Sequence, residues 1–317
     1  MSTNDTNRSS LPTPAGPVSL CQLDGLTCLR VDHPRATALI ALQGAQVLSY
    51  TPAGARPVIW LSESAAFAAG TAVRGGVPVC WPWFGDVRRN PDTVQKSLGQ
   101  ATALHSASPA EYPAHGWARD QLWLLEKLHC DDQDVTLSLR LPRSLPLASA
   151  WPMEVDLELV LLIGDQLTLQ LTTRNRSNAP IAFSQALHSY FSVSHINDVI
   201  VHGLEHCPYL DTLDEWQQKA DSKPLLIGQE TDRIYEGNLQ TLSIEDPTWN
   251  RRIHLLSTGS RSAVVWNPWI EKAKRLSQFD DSAYQRMLCI ETANVMKDYV
   301  QLDSGESHTL TVTITCD

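Results

Sequence analysis

Across the 317 residues, apolar side chains recur chiefly at every second position, in short runs closed by turn residues, which is the period of half-buried strands. Residues 18–60 set the pattern, with apolar pieces broken at Gly25, His33-Pro34, Gly44 and Thr51-Pro52-Ala53-Gly54. Longer alternating runs follow at 135–141, 155–163 and 166–174, and the Gly164-Asp165 link between the last two predicts a type II′ hairpin. Further strands are predicted at 181–193, 253–257, 263–266, 287–293 and 308–315. Helical spacing is confined to 62–67, 213–220 and 282–286. So many strands with so few helices predict an all-β chain of packed antiparallel sheets. No composition break follows residue 17, so residues 18–317 are expected to form one large sandwich domain. Residues 1–17, rich in Ser, Thr, Asn and Pro, are expected to be a disordered tail.

Bulk composition narrows the partners. A formal net charge of −10 speaks against nucleic acid and anionic membrane, which reward clustered Lys and Arg. No run of about 18 apolar residues occurs, so no membrane span is expected. The seven cysteines are scattered, with no Cys-x-x-Cys pair, and this predicts a reducing, cytoplasmic setting. A monomer is expected. A small anionic ligand remains compatible with the charge, because it needs only two or three local cations.

Candidate chemistry gathers in a few stretches. In residues 71–85 (Thr-Ala-Val-Arg-Gly-Gly-Val-Pro-Val-Cys-Trp-Pro-Trp-Phe-Gly) the one charge is Arg74, and an arginine inside so apolar a run calls for an anionic partner. Trp81, Trp83 and Phe84 each read first as core. The run Ala182-Phe183-Ser184-Gln185-Ala186-Leu187-His188-Ser189-Tyr190-Phe191-Ser192 places Ser184, Ala186, His188, Tyr190 and Ser192 on one face, leaving a hollow over the imidazole. Cys289-Ile290-Glu291-Thr292-Ala293-Asn294 carries one carboxylate among small neighbours. Such a carboxylate either pairs with a cation or does chemistry. Histidine and carboxylate facing one hollow can serve as general acid and base, with burial bringing both pKa values toward neutrality. His115 and Arg119 flank Gly116, Asp232 is an isolated acceptor, and Trp266-Asn267-Pro268-Trp269 offers platforms for a sugar ring. Each of these alone is weak, and Asp232 reads equally as a turn cap. His202, His206 and Cys207 form a poor zinc pattern, interrupted by Gly203 and followed by Pro208. Neither Ser184 nor Ser189 lies in a Gly-x-Ser-x-Gly elbow.

Together these motifs resemble the galactose-mutarotase-like superfamily, and within it the hexose-6-phosphate mutarotases, or glucose-6-phosphate 1-epimerases. The matching pieces are Arg74 to Gly85, His115-Gly116-Trp117-Ala118-Arg119, Ala186-Leu187-His188-Ser189-Tyr190-Phe191, Thr231-Asp232-Arg233-Ile234-Tyr235, Val265-Trp266-Asn267-Pro268-Trp269 and Glu291-Thr292-Ala293-Asn294, in the family's order. The resemblance implies a β-supersandwich that interconverts the anomers of an aldohexose 6-phosphate. His188 would be the general acid and Glu291 the base, with Arg74, His115, Arg119, Asp232 and Trp266 binding the sugar phosphate. No metal or other cofactor is implied. One departure is Ala114, where some members carry Gln. An aldose 1-epimerase acting on plain sugar and a non-catalytic sugar-phosphate binder are the rival readings.

Overall fold

The computed structural model describes residues 14–99, 112–143 and 154–317, so residues 1–13 of the expected tail lie outside the described residues. The chain opens with a four-stranded antiparallel meander, β1 (Val18–Leu23), β2 (Leu26–His33), β3 (Ala36–Ala41) and β4 (Gln46–Pro52). After β5 (Val79–Cys80) comes a second meander of β6 (Leu124–Cys130), β7 (Val135–Arg140), β8 (Val155–Ile163) and β9 (Leu167–Asn175). Three short strands follow, β10 (Ile181–Phe183), β11 (Gln185–Leu187) and β12 (Tyr190–Ser192). Next come β13 (Ile200–His202), β14 (Pro208–Asp211), β15 (Gln217–Ala220), β16 (Leu225–Leu226), β17 (Thr231–Glu236) and β18 (Thr241–Asp246). The chain closes with β19 (Arg251–Thr258), β20 (Ser262–Asn267), β21 (Met287–Asn294), β22 (Val300–Leu302) and β23 (Ser307–Cys316).

Two large antiparallel sheets result. One has nine strands in the order β16-β13-β18-β19-β23-β9-β8-β7-β6; the other has eight, β15-β14-β17-β20-β21-β11-β5 with β12 also paired to β21. In β8 and β9 the predicted alternation is realised, since Leu157, Leu159, Leu161, Leu169 and Leu171 are buried and their neighbours less so. These leucines join one continuous core with Leu187, Phe191, Val265 and Ile290 of the eight-stranded sheet. The opposite side of that sheet carries a smaller cluster of Cys80, Ala186, Ile234, Val264 and Ala293. No helix among the described residues is long and apolar enough to cross a membrane.

Several local expectations are corrected. The β8–β9 link spans Gly164, Asp165 and Gln166, with Ile163 opposite Leu167, and Gly164 lacks the positive φ of a type II′ turn. Its role is close packing, because a Cβ there would lie 2.5 Å from the Gln133 carbonyl oxygen. Residues 213–220 form no helix but the turn and second strand of the β14–β15 hairpin. The Asp211 side chain accepts from Leu213 N–H and binds Lys219, which favours a turn over a helix. Residues 62–67 make only a turn, in which Ser62 Oγ accepts from Ser64 N–H. The helical spacing at 282–286 becomes one 3-10 turn, Ala283–Arg286. The long strand expected at 181–193 is divided into β10, β11 and β12, with Ser184 and His188-Ser189 at the breaks.

Gly116, at φ 76°, lets its loop lie against the Trp81-Pro82 backbone, and a Cβ there would come within 2.1 Å of the Trp81 carbonyl oxygen. Gly54 has a similar φ of 72° but open space around it. Gly54→Ala should therefore lose only the left-handed penalty of about 1–2 kcal/mol, and Gly116→Ala clearly more. Urea unfolding of both variants checks this; equal losses would mean that the approach to Trp81 is no constraint.

Candidate active site

A cleft of about 490 Å³ opens on the side of the eight-stranded sheet that bears the small cluster, within the range of small-molecule sites. Strand register assembles its floor. Ile234, Val264 and Glu291 stand in one row across β17, β20 and β21. Asp232, Trp266, Cys289 and Tyr190 form the next row, two residues along, and so project to the same side. β11 and β12 pair with β21 in a single continuous register, which sets His188 opposite Glu291 at the break between them. His188 N–H donates to the Pro78 carbonyl at 3.0 Å, and Ile290 N–H donates to the Ser189 carbonyl at 3.2 Å.

His188 Nε2 lies 3.3 Å from Glu291 Oε1, and the two residues are 9% and 1% exposed. The spacing is that of an ion pair, yet burial opposes both charges. Burial, reinforced by Arg74 and Arg119, lowers the His188 pKa to about 3. Burial, with Asp232 adding to it, lifts Glu291 well above the usual carboxylate range. Both shifts favour neutral forms. We therefore read the resting pair as a carboxylic acid facing a neutral imidazole. The expectation that both values would approach neutrality is corrected for His188, whose charged form is the protonated one, so burial moves it away from 7. Among the described residues, His188 Nδ1 and Glu291 Oε2 are buried without hydrogen-bond partners.

Around this pair the cleft brings together most of the residues singled out in the sequence. Arg74, His115, Asp232 and Trp266 all line it. Arg74 Nη1 donates to the Tyr190 hydroxyl at 3.5 Å, and among the described residues it makes no ion pair with a carboxylate. His115 accepts from Gly85 N–H through Nδ1 at 3.3 Å. Its pKa is pushed well down by burial and then by His188, Arg119 and Arg74. The neutral ring consequently carries its hydrogen on Nε2, a donor for a ligand oxygen. Burial also raises the Asp232 carboxyl, against the pull of Lys272. Phe84 lines the cleft, whereas Trp81 and Trp83 are core, as each ring alone suggested.

Arg119 is not brought into the cleft wall. It sits on the 3-10 turn Ala118–Asp120, drawn inward because Trp117 and Ala118 N–H both donate to the Trp81 carbonyl. Among the described residues its buried Nε has no hydrogen-bond partner, and its charge disfavours the protonated forms of His115 and His188. Sequence reasoning missed Arg89, Thr212 and Trp216 in the cleft lining. Arg89 lies over the Trp216 ring at 5.5 Å; its only signal was the Arg88-Arg89 pair just after the Arg74 stretch, and Trp216 was hidden by the predicted helix. The hollow over His188 is also closed on one side, because Tyr190 stacks on the imidazole at 4.8 Å and 12°. His202 belongs to the other sheet and pairs with Glu245 at 2.8 Å. Ser184 Oγ accepts from Phe84 N–H at 2.8 Å.

A buried histidine–carboxyl pair in a cleft on two packed antiparallel sheets is the arrangement of a mutarotase-like protein, and comparison with known proteins carries this further. The family model for aldose 1-epimerase matches residues 27–315. The chain belongs to the aldose 1-epimerase family. A Salmonella typhimurium relative, provisionally named glucose-6-phosphate 1-epimerase, is 33% identical over 272 residues, covering 86% of this chain and 84% of the relative. A relative from Cenchrus ciliaris with the same provisional name is 30% identical, covering 85% of this chain and 78% of its own. The crystal structure of a mutarotase candidate from Salmonella typhimurium matches with a TM-score of 0.83 at 31% identity, over 96% of both chains. A galactose mutarotase-like protein from Clostridium acetobutylicum, at 13% identity and a TM-score of 0.70 over 95% of this chain and 98% of its own, shares the fold.

The two opposite pKa shifts give a stability test. The folded chain holds the Glu291 proton more tightly than the unfolded chain, so this group costs stability as pH rises above about 4.3, its unfolded value. Glu291→Gln should therefore melt higher than the parent at pH 7.5, by roughly 2–4 °C per kcal/mol relieved, with the gain vanishing near pH 4. His188 acts in reverse: the unfolded chain binds its proton more tightly between 6.5 and about 3, and His188→Asn should flatten the acid limb. Calorimetry across pH decides, and a Glu291→Gln variant less stable at every pH would mean that the carboxyl is not held protonated.

Proposed function

We propose that the protein interconverts the α and β anomers of an aldohexose 6-phosphate, with glucose 6-phosphate the preferred sugar. The observation that carries this reading is Arg74, a cation with no carboxylate partner among the described residues, in the same cleft as the His188–Glu291 pair. Arg89 and Lys272 also reach the cleft, and Lys272 Nζ is 3.3 Å from Glu230 and 6.0 Å from the centre of the Trp266 ring. A phosphate dianion suits arginine's forked donors. The names of the relatives support the same substrate class.

In this reading Glu291, as carboxylate, takes the proton from the anomeric hydroxyl while His188, as imidazolium, gives one to the ring oxygen. The C1–O5 bond breaks, the aldehyde forms, the C1–C2 bond rotates, and reclosure reverses both transfers. The resting pair already contains the single proton this needs, but on the wrong partner. Moving it from Glu291 Oε1 to His188 Nε2, across the 3.3 Å contact, creates acid and base together without uptake from solvent. His115 and Asp232 offer one donor and one acceptor to sugar hydroxyls, and Trp266 packs beside them.

NMR exchange on freshly dissolved α-glucose 6-phosphate, run beside glucose, tests the reading. Glu291→Gln and His188→Asn should each slow exchange by about 10²–10⁴-fold. Arg74→Ala should weaken transition-state binding of the phosphorylated sugar by about 1.5–3 kcal/mol, the scale of a hydrogen bond to a charged group, and affect glucose much less. Equal losses for both sugars would remove the phosphate and promote an aldose 1-epimerase of plain sugar. Exchange surviving both acid–base substitutions would overturn the mechanism.

A further inference from the structure

The stacked ring of Tyr190 separates Arg74 from His188 and also joins them. Its hydroxyl receives the Arg74 guanidinium at 3.5 Å, and its face lies on His188 at 4.8 Å and 12°. Trp60 is stacked with the same ring at 5.8 Å and 25°, Trp266 meets it edge-on at 6.1 Å, and Tyr190 is 3% exposed. Arg74, half-buried in the cleft wall, is thus held one aromatic ring away from the imidazole, close enough for its charge to act on it.

From this arrangement we infer that the anion site at Arg74 switches the acid–base pair: a bound dianion moves the pair's proton from Glu291 to His188, so the phosphate arms the site as well as binding to it. The inference rests on the proposed hexose 6-phosphate reading and extends it to the control of that site. Its physical basis is selective electrostatics. Besides Glu291, the titratable and charged groups facing His188 are His115, neutral at a ring separation of 5.5 Å, and Arg74 and Arg119, whose guanidinium charges disfavour an imidazolium. Glu291 is lifted by burial and by Asp232. Neutralising Arg74 with a dianion removes a repulsion that falls on His188, and adds negative charge that favours its protonated form. The proton then has only the 3.3 Å step between Oε1 and Nε2 to make. One O–H bond breaks, one N–H bond forms, and the pair's proton count is unchanged. Arg119, which does not line the cleft, is not neutralised by the anion and keeps the imidazolium acidic enough to protonate a ring oxygen.

The test separates the dianion from the sugar. Exchange of unphosphorylated glucose is followed with added phosphite dianion, with sulfate as a weakly basic second probe, after subtracting the enzyme-free rate at each concentration. Competition of phosphite against glucose 6-phosphate reports whether it occupies the site. Phosphite should accelerate glucose exchange by about 5- to 150-fold, the usual span of coupling between two sites. In the parent protein it should also convert the His188 ring nitrogens from the neutral to the imidazolium ¹⁵N signature, assigned with His188→Asn. Arg74→Ala should show neither effect. Phosphite that competes but neither accelerates glucose nor changes the His188 signal overturns the inference, and so does phosphite that fails to compete. The two readings fail separately. A preference for glucose 6-phosphate without a phosphite response removes only the switch, whereas equal turnover of the two sugars removes the proposed substrate itself.

Discussion

A histidine and a carboxyl group 3.3 Å apart, shut away from water, form the constraint around which this molecule is arranged. Ionised, the pair would be an acid and a base ready for use, but burial opposes charge on each partner. The protein holds them together through backbone pairing of adjacent strands, which does not depend on their attraction. Because β11, β12 and β21 share one register, the contact persists when both groups are neutral. That independence lets the proton position respond to what enters the cleft.

Rigidity around the pair comes from aromatic packing below and a buried ion pair to one side. Phe279, Trp60, Tyr190 and His188 succeed one another at ring separations of 5.5, 5.8 and 4.8 Å. The far end of β12 is tied to the nine-stranded sheet by Arg251, which donates to the Ser192 carbonyl and, at 2.9 Å, to the Pro57 carbonyl. Asp246, fully buried, lies 3.8 Å from Arg251 and accepts from Ser194 N–H at 2.9 Å. β12, which begins at Tyr190, is therefore held at its Ser192 end by the nine-stranded sheet as well as by its pairing with β21 in the other, the kind of support a preorganised site requires.

Much of this was legible in the sequence, and unevenly so. Residues 155–163 announced their strand because one-sided burial imposes alternation, and 287–293 because a short, mainly apolar run is what a strand buried on both faces requires. His188 and Glu291 stood out because a polar group among small residues on an apolar strand has few structural excuses. Their direct opposition was not legible, since register depends on partners distant in the chain. Residues 213–220 misled because a turn held by Asp211 and the Thr212–Asp232 contact shares its spacing with a short helix. Arg119 was legible only in part: its motif marks proximity to the cleft, and its charge does reach His115 and His188, but the side chain is not among the residues lining the cleft. The fall of the His188 pKa also escaped, because its largest cause is the depth of burial, which the sequence alone does not show, with Arg74 and Arg119 adding to it.

The central claim is that the pair's shared proton rests on Glu291 until an anion reaches Arg74. Infrared difference spectroscopy of the parent minus Glu291→Gln at pH 7 reads it directly, with and without a bound glucose 6-phosphate analogue that cannot ring-open. The account predicts the carbonyl stretch of a protonated carboxylic acid in the free protein, replaced by carboxylate bands in the complex. Carboxylate bands already present in the free protein at pH 7 would contradict it.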